Sequence, residues 1–439
     1  MPDLKQLARG IYHETLAAID IPGTTQMKLG REGSVLRCGD MSIDVHQFQQ
    51  VRVIAIGKAA HAMVDGLRAS LPRDISFAGI VSAPTKPANL HEQIEYFVGG
   101  HPIPNEQSWD AAKAILRMLG KCGKRTLVFF LLSGGGSALV ELPLNEQLSL
   151  TDVQEVHRVL VNCGASIEAI NTVRKHISAV KGGRLAAAAG DATKITLAVS
   201  DVPAGKEWAL ASGPTLPDPT TLRDMARVIE DYSLRNKFPA AVRKWMEETQ
   251  LPETPKAGDR VFENAHFSLL LGLDELFHPA HRAAEGAGCI TCCDNATDDW
   301  PANKAAEYLL AQLAELKMRN PGRRVAIIAD GEVSSPVTGN GIGGRNAAFV
   351  LACVDQIAGK NIAVLSAGTD GIDGNSPAAG AVADGSTQDR AKAAGMDVRD
   401  MFQRSNAYTF FKRLDDAVVT GPTGNNLRDL RILIAEPQR

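Results

Sequence analysis

Aromatic residues make up only 5% of this 439-residue chain, and its acidic and basic residues nearly cancel, leaving a net charge of −3. Without a basic face, or aromatic side chains interleaved with Lys and Arg, the chain has neither the phosphate-neutralising footprint nor the stacking platform of a nucleic-acid binder. Nucleic acid is therefore excluded as an expected partner. No window approaches the roughly 18 consecutive apolar residues of a membrane span. The opening Met1-Pro-Asp-Leu-Lys-Gln-Leu-Ala-Arg-Gly10 also lacks the apolar core of a signal peptide. A soluble, cytoplasmic protein with no membrane partner is expected.

Paired cysteines are missing too. The seven form an odd set, and Cys38, Cys122, Cys163 and Cys353 fall singly in apolar segments, which fits reduced thiols. Cys289-Ile-Thr-Cys292-Cys293 has no second Cys or His pair at zinc spacing, so a strand with its thiols packed inside is expected there instead of a metal knuckle. Three catalytic signatures are absent as well. No G-x-x-x-x-G-K-[ST] occurs, Gly135-Gly-Ser-Ala-Leu139 lacks the last glycine of a hydrolase elbow, and Gly57-Lys58 does not match the dinucleotide fingerprint.

What the chain does have is strand-to-loop punctuation rich in glycine. The apolar run Leu127 to Leu132 reads as a buried parallel strand, and it ends in Ser133-Gly134-Gly135-Gly136-Ser137. Such a turn can offer backbone N–H groups and two hydroxyls to phosphate oxygens, or it can be a tight strand-to-helix turn that needs small residues. Strand and helix patterns alternate over the first 240 residues, with strands at Arg52 to Ile56, Phe77 to Ser82 and Lys194 to Val199. This order predicts a doubly wound parallel sheet, with ligands at the carboxyl ends of its strands, where Lys58 and the glycine turn fall.

From Ser166 the spacing of Ile167, Ile170, Val173, Ile177 and Val180 predicts a helix, with Arg174, Ser178 and Lys181 on one face and Lys175 beside them. This cationic ridge is either a solvated surface or a cover for the anion held by the glycine turn. Asp201, in Ser200-Asp-Val-Pro203, suits a metal ligand, a general base or a turn former. The Pro-rich stretch 250–258 reads as a boundary between a domain at 1–250 and a second at 259–439, whose last segment is free to pack back on the first. Beyond it come a helix near Pro301 to Arg319, the strands Arg324 to Ala329 and Ile362 to Ser366, and three further loops. These are Gly339-Asn-Gly341-Ile-Gly343-Gly-Arg345-Asn346, Ala367-Gly-Thr-Asp370-Gly-Ile-Asp373-Gly374 and Thr420-Gly-Pro-Thr-Gly-Asn-Asn426. Glycine turns, two cations and three loop carboxylates form the inventory that phosphoryl transfer requires, since its transition state spreads charge over phosphoryl oxygens.

In this order the motifs resemble one family. They are G-K-A-A at Gly57 to Ala60, G-H-P-x-P at Gly100 to Pro104, L-x-S-G-G-G-S-A-L at Leu131 to Leu139, the block Ile170 to Ala186, S-D-V-P at Ser200 to Pro203, A-S-G-P-T at Ala211 to Thr215, and the three late loops above. The chain resembles the class II glycerate kinases, ATP-dependent glycerate 2-kinases whose members often carry the name hydroxypyruvate reductase.

The resemblance implies an α/β protein with a Rossmann-like, parallel-sheet N-terminal domain, a smaller mixed-sheet C-terminal domain and an active site in the cleft. It implies ATP and Mg²⁺, with D-glycerate phosphorylated at its 2-hydroxyl, and it places the essential lysine and arginine on Lys58 and Arg345. On this reading Asp370 joins the two as a catalytic residue. Ser133, Gly134, Gly135, Gly136, Ser137, Lys175, Lys181, Gly341 and Gly343 bind nucleotide or phosphate, and Asp201 and Asp373 hold the metal. A homodimer is left open. Three departures stand out: Ala204-Gly-Lys206 where the family has G-D-D, Ala347-Ala348 where it has Q-E, and Asn375-Ser376-Pro377 where it has P-T-D. Two alternatives accompany the kinase: an NAD(P)-dependent hydroxypyruvate reductase, and a catalytically impaired binder of sugar acids or nucleotides.

Overall fold

The computed structural model describes residues 3–87, 89–202, 205–272 and 274–437. They form two compact units, Ile21–Gly272 and Met1–Asp20 with Leu273–Arg439. The first unit contains a parallel sheet of β1 (Gln50–Ile56), β2 (Phe77–Ala83), β3 (Ile94–Val98), β4 (Thr126–Ser133), β5 (Thr193–Val199) and β6 (Ala265–Leu271). Their order is β3-β2-β1-β4-β5-β6, with every neighbouring pair parallel. All eight residues of β4 are buried, as the central strand of a sheet covered on both faces must be. This is the doubly wound topology that the alternating pattern predicts. The strand order reverses between β1 and β4, and the crevice at their carboxyl ends is where such sheets bind ligands. A small antiparallel meander, Gly30–Glu32, Val35–Cys38 and Met41–Asp44, precedes the sheet.

The second unit is built on β7 (Ile290–Asp294), β8 (Val325–Asp330), β9 (Ile362–Gly368), β10 (Gly380–Asp384), β11 (Ala417–Val418) and β12 (Asp429–Ala435), in the order β7-β8-β12-β9-β10-β11. β12 runs antiparallel to both β8 and β9, so the sheet is mixed, as expected. Against it pack the helices Ala302–Arg319 and Arg345–Ile357, whose buried faces join Ile327, Val364 and Leu433 in one core.

Domain limits differ from the sequence expectation at two places, the Pro-rich stretch and the opening residues. The Pro-rich stretch 250–258 does not end the first unit, because β6 follows it and pairs with β5 in register Lys194 to Ala265. The last segment supplies the central strand β12 of the second sheet. The opening residues belong with the second unit. Helix Leu4–Ala18 buries the stripe Ala8, Ile11, Tyr12 and Thr15, and Tyr12 donates its hydroxyl to the carbonyl of Gly368 at 2.7 Å. Cys292 and Cys293, expected inside, are exposed on the edge strand β7, while Cys289 is buried. No helix among the described residues is long and apolar enough to cross a membrane.

Candidate active site

At the reversal of the first sheet two loops lock together. The backbone N–H of Lys58 donates to the carbonyl of Gly134 at 3.0 Å, and that of Ala59 to the Ser133 hydroxyl at 3.0 Å. Gly57, at φ +129°, makes this possible, since a Cβ there would lie 2.1 Å from the Ser133 hydroxyl and 2.5 Å from its carbonyl oxygen. Lys58 is half-buried, and its side chain and His101 both border Gly135. Gly135, in the left-handed region, precedes the short helix Gly136–Leu139, whose first N–H groups have no acceptor within it.

Three of the residues expected to donate to phosphate are engaged inside the protein. Ser133 is fully buried and joins the two loops, so it is a spacer and no donor to ligand. Gly136 is buried against Ala211. Ser137 is half-buried and hydrogen-bonds Ser212 at 2.7 Å, which in turn donates to the Asn171 carboxamide at 3.1 Å.

The cationic ridge is not a surface. The helix from Ser166 spans Ile167–Ile177 and stops there, so Ser178 and Lys181 do not share a helical face with Arg174. Lys175 is wholly buried, paired with Asp218 at 3.2 Å and lying 4.2 Å from the ring centre of Trp208. Lys181 pairs with Glu141 at 2.6 Å, and Glu141 also accepts from His157 and from Ser178. Both lysines therefore neutralise buried acids, which corrects their expected role as phosphate ligands. Burial pushes the Glu141 carboxyl up, but Lys181 and His157 outweigh it and hold the carboxyl down to about 2. Its stabilisation is present above the ordinary value of 4.5 and is lost as the pH falls from there towards 2. Glu141→Gln is expected to cost about 3–5 kcal/mol at pH 7, the usual result of leaving a buried cation unpaired. Urea unfolding at pH 7 and pH 3 checks this, with the gap between wild type and variant narrowing at the lower pH.

In the second unit, Arg345 opens helix Arg345–Ile357 and is gripped side-on by Asp429 at the start of β12. Its Nε donates to Asp429 at 2.5 Å and Nη2 at 3.3 Å, while Nη1 donates to Glu332 at 2.7 Å. Burial disfavours charge on Asp429, but Arg345 beside it holds the carboxyl below its usual value. The glycine loop before Arg345 is not an open anion loop. The N–H of Gly341 donates to the Arg404 carbonyl and that of Gly343 to the Asn375 side chain, and a Cβ on Gly341 would lie 2.5 Å from the Arg404 carbonyl oxygen. These glycines serve close packing, which corrects their expected phosphate role.

Asp373 is corrected likewise. Its two oxygens accept from the N–H groups of Asn346 and Ala347, so it caps the Arg345 helix, and burial pushes its carboxyl up to about 7. Asp370 is half-buried and closes its own loop by accepting from the N–H of Ile372. Asp201 is half-buried just beyond the carboxyl end of β5. Among the described residues no three His, Cys, Asp or Glu side chains gather to hold a metal ion.

The departures acquire physical meaning here. Ala347 and Ala348 are buried, Ala347 within the core of the second unit, and Asn375 clamps the loop at Gly341 and Gly343. Ala204 lies outside the described residues, while Lys206 pairs with Glu168. Sequence reasoning missed Glu332 and Asp429. The only signal was the loop Thr420 to Asn426, which runs towards Asp429.

Comparison with known proteins places this geometry. Residues 7–247 match the domain of unknown function DUF4147, and residues 325–429 match the MOFRL family. The D-glycerate 2-kinase of Thermotoga maritima is 34% identical over 87% of this chain and 90% of its own. The glycerate 2-kinase of Pyrococcus horikoshii is 34% identical over 89% and 88%. A protein of Agrobacterium vitis with the provisional name hydroxypyruvate reductase is 38% identical over 87% and 86%. The crystal structure of glycerate kinase from Thermotoga maritima superposes with a TM-score of 0.78 and 32% identity, covering 98% of this chain and 99% of its own. With the motif loops at strand ends, the mixed second sheet and relatives matched along nearly their whole length, the chain belongs to the glycerate 2-kinase family.

Proposed function

We propose that this kinase transfers the γ-phosphoryl group of ATP to the 2-hydroxyl of D-glycerate, giving 2-phosphoglycerate. The observation that carries the reading is the locked pair of loops at the β1/β4 reversal, which sets the stem of the Lys58 side chain against Gly135 in a turn of three glycines. In this reading Lys58, Gly134, Gly135 and Ser137 meet phosphate oxygens, Arg345 supplies paired N–H donors to the transferring group, and Asp370 takes the proton of the attacking hydroxyl. Magnesium keeps several waters and needs only one or two carboxylates besides substrate phosphates, and Asp201, just beyond the carboxyl end of β5, is the carboxylate assigned to it in this reading. When bound, the ion would neutralise charge on the nucleotide.

ADP release measured with D-glycerate, ATP and Mg²⁺ tests the proposal, with the phosphorylated carbon identified by NMR. No turnover with glycerate or any related hydroxy acid would overturn it. A chelator is expected to abolish activity, with Mg²⁺ or Mn²⁺ restoring it; turnover that persists in the chelator would leave Asp201 without a metal role. The reductase name gains no support from the turn after β1, where Gly57-Lys58-Ala59 replaces the glycine fingerprint of dinucleotide binding. Loss of NADH absorbance on adding hydroxypyruvate would reverse that judgement, and any measurable phosphorylation removes the impaired-binder reading.

A further inference from the structure

One arginine of the first unit is buried without an anion. Helix Ile167–Ile177 carries Asn171 and Arg174 one turn apart on the same face. Asn171 accepts from Ser212, which hydrogen-bonds Ser137, so this face is tied to the glycine turn that borders Lys58. Arg174 is only 7% exposed, and its Nε is buried with no acceptor. None of its guanidinium nitrogens makes a hydrogen bond or ion pair among the described residues. The acid whose field it feels is Glu141, whose oxygens already serve Lys181, His157 and Ser178. Burial depresses the His157 imidazole below its usual range, and its Nδ1 is also unpartnered.

Arg174 and Lys181 thus bring two positive charges against the single negative charge of Glu141. A largely buried cation whose Nε has no acceptor is costly, and one anionic ligand would offset it. We propose that Arg174, one turn from Asn171 on the face tied to the glycine turn, binds the carboxylate of the 2-hydroxy acid substrate. A single excess charge matches one carboxylate better than a polyphosphate, and the planar guanidinium fork matches a planar carboxylate. The inference deepens the glycerate reading and rests on it.

The test combines kinetics with ligand-induced thermal stabilisation. In Arg174→Met the KM for D-glycerate is expected to rise about 10- to 100-fold, as loss of a charged hydrogen-bonding pair does, with the KM for ATP within about 3-fold of wild type. Arg174→Lys should fall between the two. A raised KM for ATP with an unchanged KM for glycerate would overturn the assignment. If wild type phosphorylates no glycerate, the functional reading fails, and stabilisation by a panel of short 2-hydroxy carboxylates still decides this inference. Stabilisation lost in Arg174→Met supports it, whereas stabilisation retained, or absent in wild type, overturns it. Should both variants fail to fold, wild type alone decides. Stabilisation by glycerate but not by its uncharged amide supports the carboxylate subsite, and equal stabilisation by the two rejects it.

Discussion

Lys58→Met is expected to lower kcat/KM for D-glycerate phosphorylation by at least about 100-fold while the thermal unfolding midpoint stays near that of wild type, the pattern of a lost transition-state donor. The fold should survive because the backbone holds the turn. Lys58 N–H donates to Gly134, Ala59 N–H donates to Ser133, and Gly57 N–H donates to the Ser82 carbonyl, none of which involves the ammonium. Methionine keeps an unbranched stem against Gly135 and removes the ammonium. A compact ammonium on a flexible stem suits a phosphate oxygen at a strand's carboxyl end. Near-normal activity in the variant would remove Lys58 from the mechanism and leave it a surface lysine.

Arg345→Lys is expected to lower kcat about 1,000-fold, with the affinity for nucleotide changed far less, because an arginine acting on a transferring phosphoryl group contributes mainly to the transition state. The substitution keeps the charge but loses the fork. Asp429 takes the Nε side of the guanidinium and Glu332 accepts from Nη1, so the group is held in one plane by acids on two different segments. A lysine offers three rotatable donors on one nitrogen and cannot satisfy that grip while presenting paired N–H groups to a ligand. The competing account is that Arg345 only neutralises Asp429 and Glu332. Retention of kcat within a few-fold in Arg345→Lys would establish that account and end the catalytic one.

Much of this protein is legible in the chain itself. Apolar runs marked β1, β2, β4, β5, β8 and β9 to within a few residues. Glycine after a buried strand announced the turn at Gly134 to Gly136, because strand ends and tight turns are set by neighbouring residues. Partner choice is a different matter. Nothing local tells Lys175 and Lys181 from surface lysines, since Asp218 and Glu141 reach them from 43 and 40 residues away in the chain. The same holds for Arg345, whose partner Asp429 is 84 residues on, and for Gly341 and Gly343, whose N–H groups are taken by Arg404 and Asn375. Sequence spacing determined which loops end at strand tips and what chemistry they carry. Tertiary structure alone decided which charges are buried and paired, because desolvation and pairing depend on what the fold brings within a few ångströms, and the chain order does not record that distance.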